Sequence, residues 1–189
     1  MTLILASASP QRVNLLKQVA ITPDKIIPAD IDETPIKGEL PPAYVKRVAE
    51  EKAKKIHLEN KDSFVLAADT VAALGRRIIG KADDEEMARK YVKMISGRRH
   101  KVLSGVTVIA PDGTKKSKIV TTTVKFRTMS PKEIDRYLKS GEWVGKSGCF
   151  AIQGRAGEFI EWLNGSFSNV VGLPLFETCH MLKNAGYKW

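Results

Sequence analysis

At 189 residues, with 43% hydrophobic and 28% charged residues, the chain can bury one sizeable core, so a single domain over residues 1–189 is expected. No apolar run approaches the length of a membrane span, and Cys149 and Cys179 have neither metal-ligand nor redox spacing, which excludes a helical membrane protein, a zinc module and a disulfide scaffold. The formal charge of +10 favours anionic partners, yet the lysine runs at 52–55 and 115–118 lack interleaved aromatics and read as solvated faces, which argues against nucleic acid.

The N-terminus, MTLILASASPQR, enters a strand at once, Thr2 to Ala6, with no basic leader, and a cytoplasmic location is expected. Ser7-Ala8-Ser9-Pro10 then turns into a helix with Val13, Leu16, Val19 and Ala20 at helical spacing, Ser9 as N-cap and Pro10 as first residue. Hydroxyls and free backbone N–H groups at the positive end of a helix suit phosphate. Arg12 in that first turn opposes the helix dipole, a conflict that a bound anion would resolve; plain capping is the competing reading.

Lys25 to Pro28 reads as a short strand. Asp30, Asp32 and Glu33 follow in ADIDETP, ahead of a Pro/Gly loop, and either offer oxygen ligands to a divalent cation or form a solvated acidic loop. Pro41 and Pro42 open a helix to about Ile56, with Val45, Val48, Ala49 and Ile56 on its apolar face. Lys52 falls on the same face, so its ammonium either snorkels out or reaches a polar cavity beside the core.

Phe64 to Ala68 and Val71 to Leu74 are apolar enough to be buried sheet, and Asp69 stands between them as an apparent interruption. A carboxylate there costs several kcal/mol unless it finds a cation, a metal, hydrogen bonds or a water-filled cleft. Gly75, Arg76 and Arg77 read as a hairpin tip, and Ile78-Ile79 return Gly80 and Lys81 towards Asp69. One hairpin thus presents an acid and an amine to the same cleft; a turn-capping aspartate with a solvated lysine is the alternative.

Beyond the hairpin, Asp83 or Asp84 caps a helix carrying Met87, Tyr91, Val92 and Ile95, and Lys101 to Ala110 pairs with Lys118 to Arg127 around the turn Pro111-Asp112-Gly113. Ser130-Pro131-Lys132-Glu133 is a capping box that opens a helix with Ile134, Tyr137 and Leu138 buried and Gly141 as its stop. The stretch from Gly141 to Pro174 is dense in glycines that let backbone approach a ligand, and Leu173 to Ala185 is the last helix.

Gathered together, the unusual residues are a hydroxyl-rich loop with Arg12, an acidic loop with Glu33, a core-facing Lys52, a buried Asp69 and Lys81. Cations that neutralise a phosphate chain, beside carboxylates that hold a magnesium-type ion or take a proton from water, are what cleavage of a nucleoside triphosphate requires. No Walker-type loop is present, so a P-loop mechanism is excluded.

The chain resembles the Maf family of nucleoside triphosphate pyrophosphatases, also called septum formation inhibitor proteins. The likeness runs through LASASPQR, DIDETP, YVKRVAEEKA, VLAADTV, IIGKADD, MISGRRHKVLSGVTV, YLKSGEW, KSGCFAIQGRAGEFI and GSFSNVVGLPLFE, in order along nearly the whole length. It implies a Maf/ITPase-like α/β fold, an extended mixed β-sheet flanked by helices with two lobes around a cleft. It also implies hydrolysis of a nucleoside triphosphate to the monophosphate and pyrophosphate with a divalent cation, magnesium, manganese or cobalt. On this resemblance Asp69 is the general base or a metal ligand, Glu33 a second metal ligand, and Ser7, Ser9, Arg12, Lys52 and Lys81 contact phosphate or line the cleft. Arg12, Thr70 and Gln153 match the positions linked to substrate choice, and Ile152-Gln153-Gly154 is similar to the subgroup acting on dTTP and UTP, with CTP or modified pyrimidines within reach. A glutamine amide offers the donor and the acceptor that the edge of uracil or thymine requires. There are departures: Gln11 stands where a second arginine often follows the proline, Gly145 where aspartate is common, and Cys149-Phe150-Ala151 where Ala-Tyr-Gly is usual. They touch the base pocket and leave the Asp69 centre intact. The family name and the basic charge leave a non-catalytic division regulator as the alternative function, and a homodimer is left open.

Overall fold

A computed structural model describes residues 1–189. Seven strands form one mixed sheet in the order β2-β1-β3-β5-β6-β7, with β4 added to β3. The strands are β1 (Leu3–Leu5), β2 (Lys25–Ile26), β3 (Phe64–Leu74), β4 (Arg77–Ile79), β5 (Arg99–Ile109), β6 (Lys115–Phe126) and β7 (Ile160–Asn164). The helices are α1 (Pro10–Gln18), α2 (Pro41–Glu59), α3 (Glu85–Ile95), α4 (Pro131–Lys139), α5 (Phe167–Val171) and α6 (Leu175–Asn184). Only β1 pairs in parallel, with β2 and β3; every other pairing is antiparallel.

Asp69 does not interrupt anything. β3 runs unbroken for 11 residues, and Asp69 sits in its middle directly opposite Gly105 of β5. The ladder on the β5 side needs only backbone groups, so a carboxylate in the middle of the strand leaves it intact. Alternation then sorts the side chains. Val65, Ala67, Val71 and Ala73 share one face of β3 with Asp69 and are buried under α2 with Val45, Val48, Ala53 and Ile56. On the other face Phe64, Leu66 and Ala68 pack with Leu15 and Leu16 of α1 and Leu182 of α6. Farther along that face, Ala72, Val102, Val124 and Phe126 pack with α3 and α4 through Val92, Ile95, Ile134 and Leu138. The two clusters are the two lobes, and Thr70 and Ser104, paired across β3 and β5, lie between them.

Gly105 brings α2 onto the sheet. A Cβ on Gly105 would lie 2.1 Å from the Val45 carbonyl oxygen and 3.0 Å from the Lys46 nitrogen, so the helix backbone rests directly on β5 opposite Asp69. Two turns along the same helix face is Lys52. At the far end, the Ser130 capping box forms as expected: Ser130 Oγ accepts from Glu133 N–H at 3.3 Å, and the Glu133 carboxylate accepts from Ser130 N–H at 2.7 Å. Such a cap contributes about 1 kcal/mol to holding α4.

Several boundaries differ from the sequence reading. α1 stops at Gln18, so Val19 caps it and Ala20 takes a left-handed φ of 59°; Leu15 is buried in their place. The strand expected over Lys25 to Pro28 keeps only two residues. Met87 of α3 faces solvent, and Ala88 takes the buried position. The glycine-rich stretch holds two elements that its composition hid, β7 and α5. No helix is long and apolar enough to cross a membrane.

Candidate active site

Along one edge of β3, β1 stops and β4 has not yet begun. β1 pairs as far as Leu66, with Ala6 N–H reaching the Leu66 carbonyl at 2.8 Å, and pairing with β4 is taken up only from Ala72, opposite Ile79. In the gap between them a cleft of about 490 Å³ wraps around the strand edge, so side chains from both faces of β3 reach it, Asp69 from one and Thr70 from the other. Its volume is within the range of small-molecule sites. Ser7, Ser9, Arg12, Glu33, Lys52, Asp69, Thr70, Lys81 and Gln153 all line this one cleft.

Lys52 takes the cavity and does not snorkel. Its Nζ is 2.9 Å from Asp69 Oδ1 and 2.8 Å from Glu33 Oε1, with the Lys52 and Asp69 side chains each 9% exposed. Asp69 Oδ2 is buried with no hydrogen-bond partner. Glu33 is placed by its own loop: the Tyr44 hydroxyl donates to the Glu33 carbonyl at 2.8 Å, and Arg47 of α2 clamps Glu39 with two bonds of 2.8 Å. Asp30 and Asp32 turn away to solvent, Asp32 capping the turn by accepting from Thr34 N–H at 2.8 Å. The acidic loop thus delivers one carboxylate to the cleft, not three.

Arg12 is the less expected feature. Its guanidinium is buried, yet all its partners are neutral: Nε donates to the Gly172 carbonyl at 2.9 Å, one terminal nitrogen to Ser7 Oγ at 2.8 Å and the other to Thr70 Oγ1 at 3.5 Å. Burial pulls its pKa down from the ordinary arginine value, with the negative charges of Asp69 and Glu33 opposing that shift. A buried cation without a direct counter-ion is costly, and an anion entering the cleft removes the cost. Thr70 Oγ1 is in turn fixed by Ser104 Oγ at 2.7 Å, and Ser104 donates to the Asn169 carbonyl at 3.5 Å. Ser9 is the N-cap residue of α1, but its hydroxyl donates to Gln11 Oε1 at 3.1 Å and does not cap a backbone N–H.

Lys81 and Gln153 stand at the exposed rim of the cleft. The loop carrying Gln153 is pinned by Glu142, which accepts from Arg155 N–H at 2.7 Å and would collide with any Cβ on Gly154, at 2.2 Å. Phe150 is the one aromatic side chain of the cleft wall, set edge-on against His100 and Phe126 at 5.3 and 5.1 Å between ring centres. Burial among these rings drives the His100 pKa down to about 4, so this support is neutral at pH 7.

The site offers only two carboxylates, and no group of three or more His, Cys, Asp or Glu side chains converges anywhere in the chain. That donor set fits a hard divalent cation of the magnesium type, which takes one or two carboxylates and completes its shell with water and substrate phosphate. Of the Asp69 oxygens only Oδ2 is bare, because Oδ1 is occupied by Lys52.

The family profile described as Maf-like protein matches residues 2–185. The chain belongs to the Maf family. It is 53% identical to the dTTP/UTP pyrophosphatase of Zymomonas mobilis subsp. mobilis, over 98% of this chain and 92% of that one. It is 51% identical to the dTTP/UTP pyrophosphatase of Paramagnetospirillum magneticum, over 98% and 97%, and 51% identical to the nucleoside triphosphate pyrophosphatase of Anaplasma phagocytophilum, over 98% and 95%. Among solved structures, the Staphylococcus aureus Ham1 protein overlaps 67% of this chain and 72% of its own at 19% identity, with a TM-score of 0.46. The Maf resemblance assigned no role to Lys146, Ser147, Phe150 or Gly172, which also line the cleft. Nothing local marks them in the sequence, since a glycine-rich loop shows that backbone comes close to something but not which side chains face it.

The Lys52 geometry gives a testable result. Lys52→Met preserves the aliphatic stem but strands Asp69 in a buried position with both oxygens bare, so stability at pH 7 is expected to fall by roughly 3 kcal/mol. The double variant Lys52→Met with Asp69→Asn removes the stranded charge and is expected to recover most of that loss in thermal or urea unfolding. Equal melting of the single variant and the wild type would mean that the pair is hydrated and energetically neutral.

Proposed function

We propose that the chain hydrolyses pyrimidine nucleoside triphosphates, dTTP and UTP foremost, to the monophosphate and pyrophosphate. One observation carries the reading: a buried Arg12 with no carboxylate partner stands in the same cleft as a buried Asp69 with one oxygen bare. The cleft is thus short of an anion at one point and holds a proton acceptor at another. The names of the relatives, dTTP/UTP pyrophosphatase, support the choice of base.

In this proposal Arg12, with Ser7 and Ser9, binds the phosphate chain, and Lys52 fixes the direction of the Asp69 carboxylate through its contact at 2.9 Å. Asp69 Oδ2 orients a water and takes its proton as the water attacks the α-phosphorus, and the bond to the bridging oxygen breaks to release pyrophosphate. A divalent cation would be held chiefly by Glu33, at the edge of the Asp69 carboxylate, and would supply charge neutralisation on the phosphates. Gln153 meets the base, backed by the wall of Phe150 and Ala151. The direct test is to incubate the purified protein with each common triphosphate and identify products; release of orthophosphate in place of pyrophosphate would overturn the assignment.

Gln153 yields a second measurement. Its side chain has no protein partner fixing it, so Gln153→Ala is expected to leave the fold alone. It removes the donor and acceptor that pair with the base, a loss of about 1–3 kcal/mol for dTTP and UTP, and less for purine triphosphates. Selectivity in kcat/KM across dTTP, UTP, CTP, dATP and GTP is expected to narrow. An equal loss on all five would assign Gln153 to the phosphates or to the loop.

A further inference from the structure

Four cations line the cleft, and two of them are already committed. Arg12 is held by Ser7, Thr70 and Gly172, and Lys52 by Asp69 and Glu33. Lys81 and Lys146 form no ion pair, and Lys146 Nζ has only the Val144 carbonyl, at 3.5 Å. Lys81 is matched by the family likeness to a cleft position; Lys146 opens the likeness motif KSGCFAIQG, and the likeness gives it no role.

The backbone of Lys146 is nevertheless fixed. Ser147 Oγ accepts from Ala72 N–H at 3.1 Å and donates to the Ile79 carbonyl at 2.9 Å, so a hydroxyl is inserted between β3 and β4 at their Ala72–Ile79 pair. One residue on, Gly148 N–H donates to the Gly80 carbonyl at 3.0 Å. Gly148 has a φ of +73°, and a Cβ there would lie 2.6 Å from Ala72 Cβ. The turn carrying Lys146 is therefore keyed into the hairpin that carries both Asp69 and Lys81. An exposed lysine on a wandering loop would be a solvated charge, whereas this one is aimed by its neighbours at a cleft with cations to spare.

We propose that Lys146 is a substrate-binding residue that joins Lys81 on the terminal phosphates, the part that leaves as pyrophosphate. This deepens the pyrophosphatase reading of the cleft and rests on it. Of the engaged pair, Lys52 holds Asp69 and Arg12 is bonded to Thr70, the next residue along β3, so both belong to the end of the cleft where the α-phosphorus must sit for attack by a water at Asp69. The β and γ phosphates carry most of the charge of the chain and need their own counter-charges, which the two free ammonium groups supply. A neutral pyrimidine ring gives an ammonium much less. Lys146 thereby separates triphosphate from monophosphate and lets the monophosphate product go.

The experiment is calorimetric binding of inorganic pyrophosphate and of dTMP to the wild type, Lys146→Gln and Lys146→Arg, with thermal melting as a check on folding. Lys146→Gln is expected to weaken pyrophosphate by about tenfold or more while leaving dTMP within about twofold, and Lys146→Arg, which keeps the charge, to hold pyrophosphate. In kinetics the KM for dTTP should rise with kcat little changed. Pyrophosphate binding that is absent in the wild type, unchanged in Lys146→Gln, weakened no more than dTMP, or lost equally in Lys146→Arg overturns the proposal. The pyrophosphatase reading fails separately, if the wild type turns over no triphosphate, and the binding comparison can be read without turnover.

Discussion

Asp69→Asn is expected to fold with stability near that of the wild type and to lose at least ~10²-fold in turnover. The fold survives because Asp69 contributes only its backbone to the ladder with Gly105, and because Lys52 keeps Glu33 as a partner at 2.8 Å when the carboxylate is gone. Turnover falls because an amide can neither accept the proton of the attacking water nor hold a divalent cation as a carboxylate does. On the barrier this is roughly 2.7 kcal/mol or more. The check is kcat for dTTP beside a melting curve, and retention of more than a tenth of the wild-type rate would remove Asp69 from the chemistry.

Gly105→Ala should damage fold and activity together, although Gly105 touches no substrate. The added methyl would meet the Val45 carbonyl oxygen at 2.1 Å, a main-chain atom that no rotamer change can move. Relief requires α2 to lift off β5, which costs about 3 kcal/mol and lowers the melting temperature by roughly 5–10 °C. The same displacement carries Lys52 away from Asp69 and Glu33, so the rate should fall further than the loss of folded protein accounts for. A melting temperature within about 2 °C of wild type would mean that the helix yields without cost. Full activity in the folded fraction would mean that the position of Lys52 along α2 does not matter.

Local chemistry was legible from the residues alone, and non-local pairing was not. The Ser130 box, the Gly75 turn and the misfit of Lys52 on an apolar helix face are encoded within a few positions of one another, and all appear as expected. Asp69 reads as a break between two apolar runs, yet β3 continues through it, because what keeps β3 continuous is β5, more than thirty residues away. The acidic loop could not announce which of Asp30, Asp32 and Glu33 faces inward; that is decided by Tyr44 and Arg47 on the next helix. α5 and β7 were hidden because each is five residues long, too short for periodicity to register against glycines and serines. Lys146 was invisible for a similar reason, since its direction is set by Ser147 reaching into a hairpin some seventy residues earlier.

The break along the edge of β3 also leaves main-chain groups without strand partners. Phe64 N–H donates to Thr2, Ala6 N–H to Leu66, and Ala72 N–H to Ser147, so the even-numbered residues of β3 direct their N–H and C=O groups to this edge. Thr70 does so inside the gap, which is too short for a foreign strand to add to and is bordered by the loops at Ser7–Ser9 and Gly145–Ser147. Part of what the cleft offers an incoming phosphate or ribose is therefore written in topology and not in side chains. A chain in which β1 stops at Leu5 and β4 pairs no further along β3 than Ala72 keeps that stretch of open backbone whatever side chains surround it.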